Sequence, residues 1–245
     1  MKVGLFQYDI SWEAKAKNKD KIMKIIERDL KSKIDWLIFP EMTLTGFSMD
    51  TDKTTLLDED IEFFQTLSKK LNAYISFGGV KDKKNKAITI DPKGNFVSSY
   101  AKSHLFSYAK EDVYYVAGTS PELFEIMGMK VLPSICYDLR FSNMFWDKAK
   151  NTDVIFVMAN WPSSRRDHWI NLLRSRAIEN QTFVIGVNRI GTSPSLDYSG
   201  DSLLFGAFGD EKLNCSNREG VFIVDISKEE LNSVRKEYPF LKDRK

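Results

Sequence analysis

Two hydrophobic patterns alternate along the chain. Short runs of consecutive apolar residues are typical of strands buried on both faces, and apolar residues at every third or fourth position are typical of amphipathic helices. The first pattern predicts strands at 2–10, 35–39, 73–80, 153–160, 182–188, 202–208 and 220–226. The second pattern predicts helices at 13–32, 58–71, 167–181 and 228–236.

Turn signals add two hairpins to this succession. Pro92 and Gly94 separate strand-like segments at 86–91 and 95–102, and Gly128 separates 123–127 from 130–136. The Lys-rich segment 81–86 reads as a solvated hairpin turn, and the segment 208–220 reads as a polar turn. Helices that alternate with strands, interrupted by hairpins, predict a single α/β domain over 1–245, with mixed sheets and outer helices.

Composition narrows the possible partners. The 36 basic and 34 acidic residues nearly balance, so there is no electrostatic basis for binding nucleic acid or an anionic membrane. No run approaches the roughly 20 apolar residues of a membrane-spanning helix, and the N-terminus lacks a signal-peptide pattern. The two cysteines lack the CxxC spacing of a zinc site and are too few for a disulfide scaffold. We therefore expect a cytoplasmic protein without a bound metal.

Three reactive residues follow strand-like segments. Glu41 comes after 36–40, Lys102 after 96–101, and Cys136 after 131–135. Sites in α/β sheets collect at the carboxyl ends of the strands. A carboxylate that takes the thiol proton, a thiolate that attacks, and an ammonium that stabilises the oxyanion would together make a nucleophilic hydrolase. The pattern cannot establish that these strand ends meet.

Other interpretations of these residues remain open. An isolated cysteine after an apolar run is usually a small buried hydrophobe, and a lysine at a strand end is usually exposed. A Cys-His site would have to use His104 or His168, which leaves Glu41 and Lys102 unexplained. A serine site lacks the GxSxG elbow, and the phosphate-binding glycine motifs are missing.

Several segments around these residues resemble the nitrilase superfamily of carbon–nitrogen hydrolases. They are FPEMTLTGF (39–47), AKSHLF (101–106) and ICYDLRF (135–141), in the order of the family. The segments ANWPSSRRDHW (159–169) and RSRAIENQTFVIGVNRIG (174–191) are most similar to the bacterial omega-amidases.

The resemblance implies a four-layer αββα sandwich that forms a homodimer, and it implies roles for particular residues. Glu41 would be the general base, Lys102 the oxyanion stabiliser, and Cys136 the nucleophile, with the backbone N–H of Tyr137 completing the oxyanion hole. Glu111 corresponds more loosely to a second glutamate that positions the lysine.

The resemblance also implies a pocket and a substrate. Phe47, Asn160 and Trp161 would form its walls, and Arg165 and Arg166 are candidates for binding a substrate carboxylate. Arg140 is expected to order the turn after Cys136 by ion pairing. The implied reaction is hydrolysis of the terminal amide of a 2-oxo-dicarboxylic acid monoamide through a cysteine thioester, without a cofactor. Another amide or nitrile, such as deaminated glutathione or a carbamoyl compound, and a non-catalytic scaffold are the alternatives.

Overall fold

The computed structural model describes residues 1–244. The strands are β1 (Lys2–Gln7), β2 (Trp36–Ile38), β3 (Tyr74–Lys81), β4 (Lys84–Ile90), β5 (Phe96–Ala101), β6 (Phe124–Ile126), β7 (Met129–Ile135), β8 (Val154–Met158), β9 (Phe183–Val187), β10 (Ile190–Thr192), β11 (Asp197–Ser199), β12 (Leu203–Phe205), β13 (Glu211–Asn214) and β14 (Gly220–Asp225). The helices are α1 (Lys15–Asp29), α2 (Thr51–Thr54), α3 (Asp58–Leu71), α4 (Glu111–Tyr114), α5 (Asn143–Trp146), α6 (Arg166–Asn180) and α7 (Lys228–Glu237).

The strands form two six-stranded mixed sheets of similar design. The first has the order β14-β1-β2-β3-β4-β5, and the second has the order β13-β12-β9-β8-β7-β6. Each has three parallel strands at its centre, β1-β2-β3 or β7-β8-β9, with antiparallel strands on both sides. The parallel centres are buried, which explains their continuous apolar runs.

The sheets pack face to face and each carries helices outside. Trp36 of β2 meets Phe156 of β8 edge to face, with ring centroids 5.4 Å apart, in the layer between the sheets. Helices α1 and α3 cover the first sheet, through residues such as Ile22 and Phe64. Helix α6 covers the second, with Leu173 packed against β9 and β12. The predicted αββα sandwich is confirmed.

Most predicted elements are present, and three short strands correct the prediction. The segment 208–220 is not a simple polar turn, because β13 lies within it and pairs with β12. Strands β10 and β11 form a small hairpin that was not predicted. These strands have three or four residues and polar or half-exposed side chains, so their backbone pairing leaves little hydrophobic signal.

The topology brings the predicted strand ends together. Strands β2 and β5 of the first sheet run in the same direction, because β5 is antiparallel to β4 and β4 is antiparallel to β3. Strands β7 and β8 of the second sheet end at the same edge of the sandwich. The segments after these four strands carry Glu41, Lys102, Cys136 and Asn160.

Candidate active site

A buried cluster of two carboxylates and one ammonium lies between the ends of β2 and β5. The Nζ atom of Lys102 is 3.0 Å from Oε1 of Glu41, and 2.9 and 3.2 Å from the two carboxylate oxygens of Glu111. All three side chains are shielded from solvent. A backbone donor also fixes Glu111, because the Phe106 N–H donates to its Oε2 at 2.7 Å. The looser sequence match at Glu111 therefore selected a residue that contacts Lys102.

Asn85 is a fourth member of this cluster that sequence reasoning missed. Its Nδ2 donates to Oε1 of Glu41 at 2.8 Å and to Oε1 of Glu111 at 2.9 Å. Its backbone carbonyl accepts from the N–H of Lys102 at 2.8 Å. Asn85 lies in the Lys-rich segment 81–86, which was predicted to be a solvated turn. Only Asp82 and Lys83 form that turn, and Asn85 belongs to β4. The alternation of lysines with Asn85 and Ala87 along β4 was the available signal of a buried face.

Opposite charges keep Lys102 ionised inside the protein. Burial alone would lower the pKa of the ammonium, but Glu111 and Glu41 outweigh that effect and hold the pKa of Lys102 well above its usual range. A full positive charge at this depth is available to a developing anion.

Cys136 occupies a strained turn directly after β7. Its φ of 45° is in the left-handed region, which a non-glycine residue rarely adopts. Asp138 holds this turn: its Oδ2 accepts from the Ile135 N–H at 3.0 Å and from the Tyr100 hydroxyl at 2.8 Å. Its Oδ1 accepts from the His104 N–H at 3.0 Å. The turn that carries Cys136 is thus tied to the segment that carries Lys102.

The Cys136 thiol is partly exposed and is held in its neutral form. Burial of the sulfur and the negative charge of Glu41 raise the pKa of the Cys136 thiol well above its usual range, although Lys102 opposes them. The backbone N–H of Asn160, which donates to Oε2 of Glu41 at 2.9 Å, partly offsets this rise in the pKa of Cys136. A base beside the thiol is therefore needed for attack.

The turn that follows Glu41 is packed against β3. The N–H of Gly78 donates to Oγ1 of Thr43 at 3.0 Å, and the Thr43 N–H donates back to the Gly78 carbonyl at 2.9 Å. A Cβ at position 78 would lie 2.6 Å from the Met42 nitrogen and 2.8 Å from Cα of Glu41. Only glycine leaves room for the backbone of Glu41 there.

A cavity of about 260 Å³ opens above the thiol. It brings together the remaining predicted residues, and it adds residues that the sequence did not single out. The predicted residues that line it are Phe47, Lys102, Cys136, Tyr137, Asn160, Trp161 and Arg165. The added residues include Trp12, Met49, Leu196 and Tyr198, of which the last two come from the unpredicted β10–β11 hairpin.

Asn160 and Trp161 have supporting contacts as well as a place in the cavity wall. The Nδ2 of Asn160 donates to the Glu41 carbonyl at 2.7 Å, so this side chain anchors the backbone of Glu41. The backbone of Trp161 is held by Asn188, whose Oδ1 accepts from the Trp161 N–H at 2.8 Å. Asn188 therefore supports the wall from behind.

Two arginines at the cavity have no carboxylate within ion-pair distance among residues 1–244. Arg165 lies over the Phe106 ring at 5.5 Å. Arg140 lies over the Trp161 ring at 4.9 Å and contacts Nδ1 of His168 at 3.1 Å, so the expectation that it pairs with an acid was wrong. Its position beside an aromatic wall leaves the guanidinium facing the cavity rather than the turn. In contrast, the neighbouring Arg166 forms a bidentate pair with Asp201.

Cys215, unlike Cys136, does not line the cavity. It is fully buried at the end of β13, rather than exposed in a polar turn. Burial raises the pKa of its thiol to about 12.

The described part of the chain contains no group of three or more His, Cys, Asp or Glu side chains that could hold a metal ion. No helix in that part is long and apolar enough to cross a membrane.

The fold and the site together define an enzyme that hydrolyses carbon–nitrogen bonds. The family model for carbon–nitrogen hydrolases matches residues 2–236, and the chain belongs to this family. It is 33% identical to a 2-oxoglutaramate amidase of Bacillus subtilis, over 98% of this chain and 96% of that protein. It is 32% identical to the omega-amidase YafV of Escherichia coli K12, over 99% and 96%.

A solved structure has the same architecture. The carbon–nitrogen hydrolase superfamily protein of Xanthomonas campestris, which was solved with an arsenic adduct in its active site, superposes with a TM-score of 0.93. The two chains are 30% identical, and the match covers 99% of this chain and 96% of that one.

Proposed function

We propose that this enzyme hydrolyses the terminal amide of a 2-oxo-dicarboxylic acid monoamide, such as 2-oxoglutaramate or 2-oxosuccinamate, to the acid and ammonia. The observation that carries the proposal is a partly exposed cysteine above a buried cluster of Glu41, Lys102 and Glu111. The substrate class is supported by the relatives, two of which bear the names 2-oxoglutaramate amidase and omega-amidase.

The proposed reaction proceeds in two halves. Glu41 takes the proton of the Cys136 thiol, and the sulfur adds to the amide carbon. The oxyanion accepts hydrogen bonds from Lys102 and from the backbone N–H of Tyr137. Lys102 can turn a donor towards the oxyanion by giving up the longer, 3.2 Å, of its two contacts with Glu111.

The tetrahedral adduct then collapses. The carbon–nitrogen bond breaks, Glu41 returns its proton to the leaving nitrogen, and ammonia departs from an acyl thioester. A water molecule gives a proton to Glu41 and adds its oxygen to the thioester carbon. The carbon–sulfur bond then breaks and Glu41 returns the proton to the sulfur, which releases the acid and restores the thiol. The carboxylate of Glu111 holds Lys102 throughout and takes no proton.

Arg165 and Arg140 would bind the distal carboxylate of the substrate. Both line the cavity, and neither has a carboxylate partner among the residues described. A guanidinium binds a carboxylate through parallel hydrogen bonds, and this preference favours an amide whose far end is an acid. Phe47 and Trp161 would contact the carbons between the two ends.

The decisive experiment measures ammonia release from 2-oxoglutaramate by the wild type, Cys136→Ala and Cys215→Ala. We expect release by the wild type and by Cys215→Ala, and none by Cys136→Ala. 4-Oxopentanamide, which has the same amide and ketone without the carboxylate, should be a much poorer substrate. If both compounds are hydrolysed equally well, the carboxylate has no role and a different amide must be sought. An inactive wild type with an unreactive Cys136 would instead favour a non-catalytic scaffold.

We further propose a homodimer in the cytosol. Trp146 of α5 and Ile178 of α6 are large apolar side chains that are 43% and 50% exposed on adjacent helices, so they are candidates for the interface. Light scattering should give twice the mass of one chain, and Ile178→Asp should lower it. A reduced Cys136 suits a reducing compartment.

A further inference from the structure

We propose that Asn85 is a positioning residue that holds the carboxylates of Glu41 and Glu111 side by side and leaves Oε2 of Glu41 as the atom that takes the thiol proton of Cys136. The inference deepens the proposed function and rests on it, since it concerns the base of that reaction. It begins from the hydrogen bonds that the two carboxylates receive.

The donors around the carboxylates leave one position open. Each carboxylate oxygen has two lone pairs. Oε1 of Glu41 accepts from Lys102 and Asn85, and both oxygens of Glu111 accept two contacts each, from Lys102, Asn85 and the Phe106 N–H. Oε2 of Glu41 accepts only from the Asn160 N–H among the donors described. A proton can therefore be added at Oε2 without displacing a donor.

Oε2 is also the oxygen that faces the second sheet, which carries Cys136, because it accepts from the N–H of Asn160 directly after β8. The same N–H favours the thiolate form of Cys136. One backbone amide thus favours negative charge both on the atom that loses the proton and on the atom that gains it. The S–H bond breaks as the O–H bond forms at Oε2, and the net charge of the cluster stays the same.

The orientation of the Asn85 amide follows from its neighbours. Its Nδ2 faces two carboxylate oxygens at 2.8 and 2.9 Å, where an amide oxygen in its place would be repelled by both. One N–H points at each carboxylate. This neutral group therefore stabilises negative charge on both carboxylates, together with Lys102 and the backbone N–H groups of Phe106 and Asn160.

Asn85 is held rigidly in this role. It lies on β4, and its side chain is on the same face as those of Ala87 and Thr89, towards the second sheet. The backbone of β4 also pairs with β3 and β5 on either side. The amide cannot follow a carboxylate that moves away, so it fixes the distance between Glu41 and Glu111.

The test is the pH dependence of Cys136 alkylation by iodoacetamide, followed by mass spectrometry between about pH 5 and 9. The titratable groups that face Glu41 are Lys102, Glu111 and Cys136, with Tyr198 across the cavity. We expect the alkylation rate to fall at low pH, where the base is protonated, and we call this part of the profile the acid limb. Glu41→Gln should abolish the acid limb and so show that it belongs to Glu41. Asn85→Leu removes the donor, and the smaller Asn85→Ala serves if the leucine variant fails to fold.

We expect the midpoint of that limb to rise by about one pH unit in the Asn85 variants, because the ionised carboxylates lose a charge-assisted hydrogen bond. Thr89→Val is the matched control, since it removes a buried hydrogen bond to Ser76 from the same face of β4. It should keep the wild-type midpoint. An unchanged midpoint in Asn85→Ala, or an equal rise in Thr89→Val, would overturn the proposal.

Alkylation needs no substrate, so the result does not depend on which amide the enzyme uses. A wild type that releases no ammonia from 2-oxoglutaramate would refute the proposed substrate while leaving this test in place. In an active enzyme, kcat/KM for ammonia release should show the same rise in the midpoint, with KM within about twofold of the wild type at high pH. A loss of rate that is equal at every pH would mean that Asn85 is merely structural.

Discussion

Lys102 is the residue on which the buried charges of the site depend. It is the ammonium that both Glu41 and Glu111 contact, and no part of its side chain reaches solvent. A buried charge that loses its partner cannot recover the desolvation cost by turning to water. If Lys102 also stabilises the oxyanion, as proposed, changes to its partners should separate its effect on stability from its effect on activity.

Lys102→Met should lower kcat/KM by about 10²–10³, because the oxyanion loses a preorganised charge. It should also lower the free energy of unfolding by roughly 3–5 kcal/mol, since two carboxylates remain buried without a cation. The double variant Lys102→Met with Glu111→Gln should regain part of that stability and none of the activity. Chemical denaturation and ammonia release measure the two effects. A double variant that is no more stable than Lys102→Met would contradict the electrostatic explanation.

The two cysteines should differ sharply in reactivity. Cys136 has a base beside it and faces the cavity, whereas Cys215 is buried in the core. The raised pKa of Cys215 means that its thiolate, the reactive form, appears only as the pH approaches about 12. We expect the native protein at pH 7.5 to take up one equivalent of iodoacetamide, at Cys136. Two equivalents, or modification of Cys215 first, would be inconsistent with this structure.

At the residue scale, the sequence reveals the groups that react better than the groups that hold them. Glu41, Lys102 and Cys136 stand out because each is a reactive side chain in a recognisable motif at a strand end. Asn85 and Asp138 do not, because their importance arises from neighbours that are distant along the chain. Arg140 was misjudged for the same reason: the aromatic ring beside it comes from the segment after β8.

At the scale of the elements, close backbone packing positions Glu41. Strand β3 and the turn after Glu41 exchange hydrogen bonds through Gly78 and Thr43. The absence of a side chain at position 78 permits this approach. The turn that carries Glu41 is thus held against a strand, which is more rigid than a loop, and this keeps Glu41 within reach of Lys102.

Gly78→Ala should displace the backbone of Glu41, and we expect a loss of activity of at least about tenfold together with reduced stability. Gly128→Ala is the control: a Cβ there meets nothing within 4 Å, but its φ of 79° strains any other residue. It should cost about 1 kcal/mol of stability and leave kcat unchanged. Thermal unfolding and ammonia release distinguish the two. Full activity in Gly78→Ala would show that the packing does not position Glu41.

Long apolar strands and amphipathic helices could be predicted at this scale because their burial leaves a periodic pattern. Helix α3 has the predicted bounds, and α1 and α6 lie within a few residues of theirs. Strands β10, β11 and β13 left no such pattern, because backbone hydrogen bonds rather than buried side chains define them. This matters for function, since the β10–β11 hairpin carries Tyr198 into the cavity wall.

At the scale of the whole molecule, the chain returns to its starting sheet. Strand β14 pairs along the full length of β1, and the amino group of Met1 donates to the Ile226 carbonyl at 2.9 Å. The second sheet is therefore inserted between the first and last strands of the other. The layer between the sheets contains apolar side chains from both, so neither sheet can lose the other without exposing its core face.

This arrangement leads us to propose that residues 1–245 form one cooperative domain, and Trp36→Ala tests it. Trp36 is fully buried between the sheets, so Trp36→Ala should lower the free energy of unfolding by about 3–5 kcal/mol. In a single domain both sheets lose this stability together. Amide hydrogen exchange should therefore speed up by a similar factor in β3 of the first sheet and in β8 of the second. Thermal unfolding should remain one transition at a lower temperature. Faster exchange in β3 alone would mean that the sheets unfold independently, and the active site, which uses strand ends from both, would then be lost before the second sheet melts.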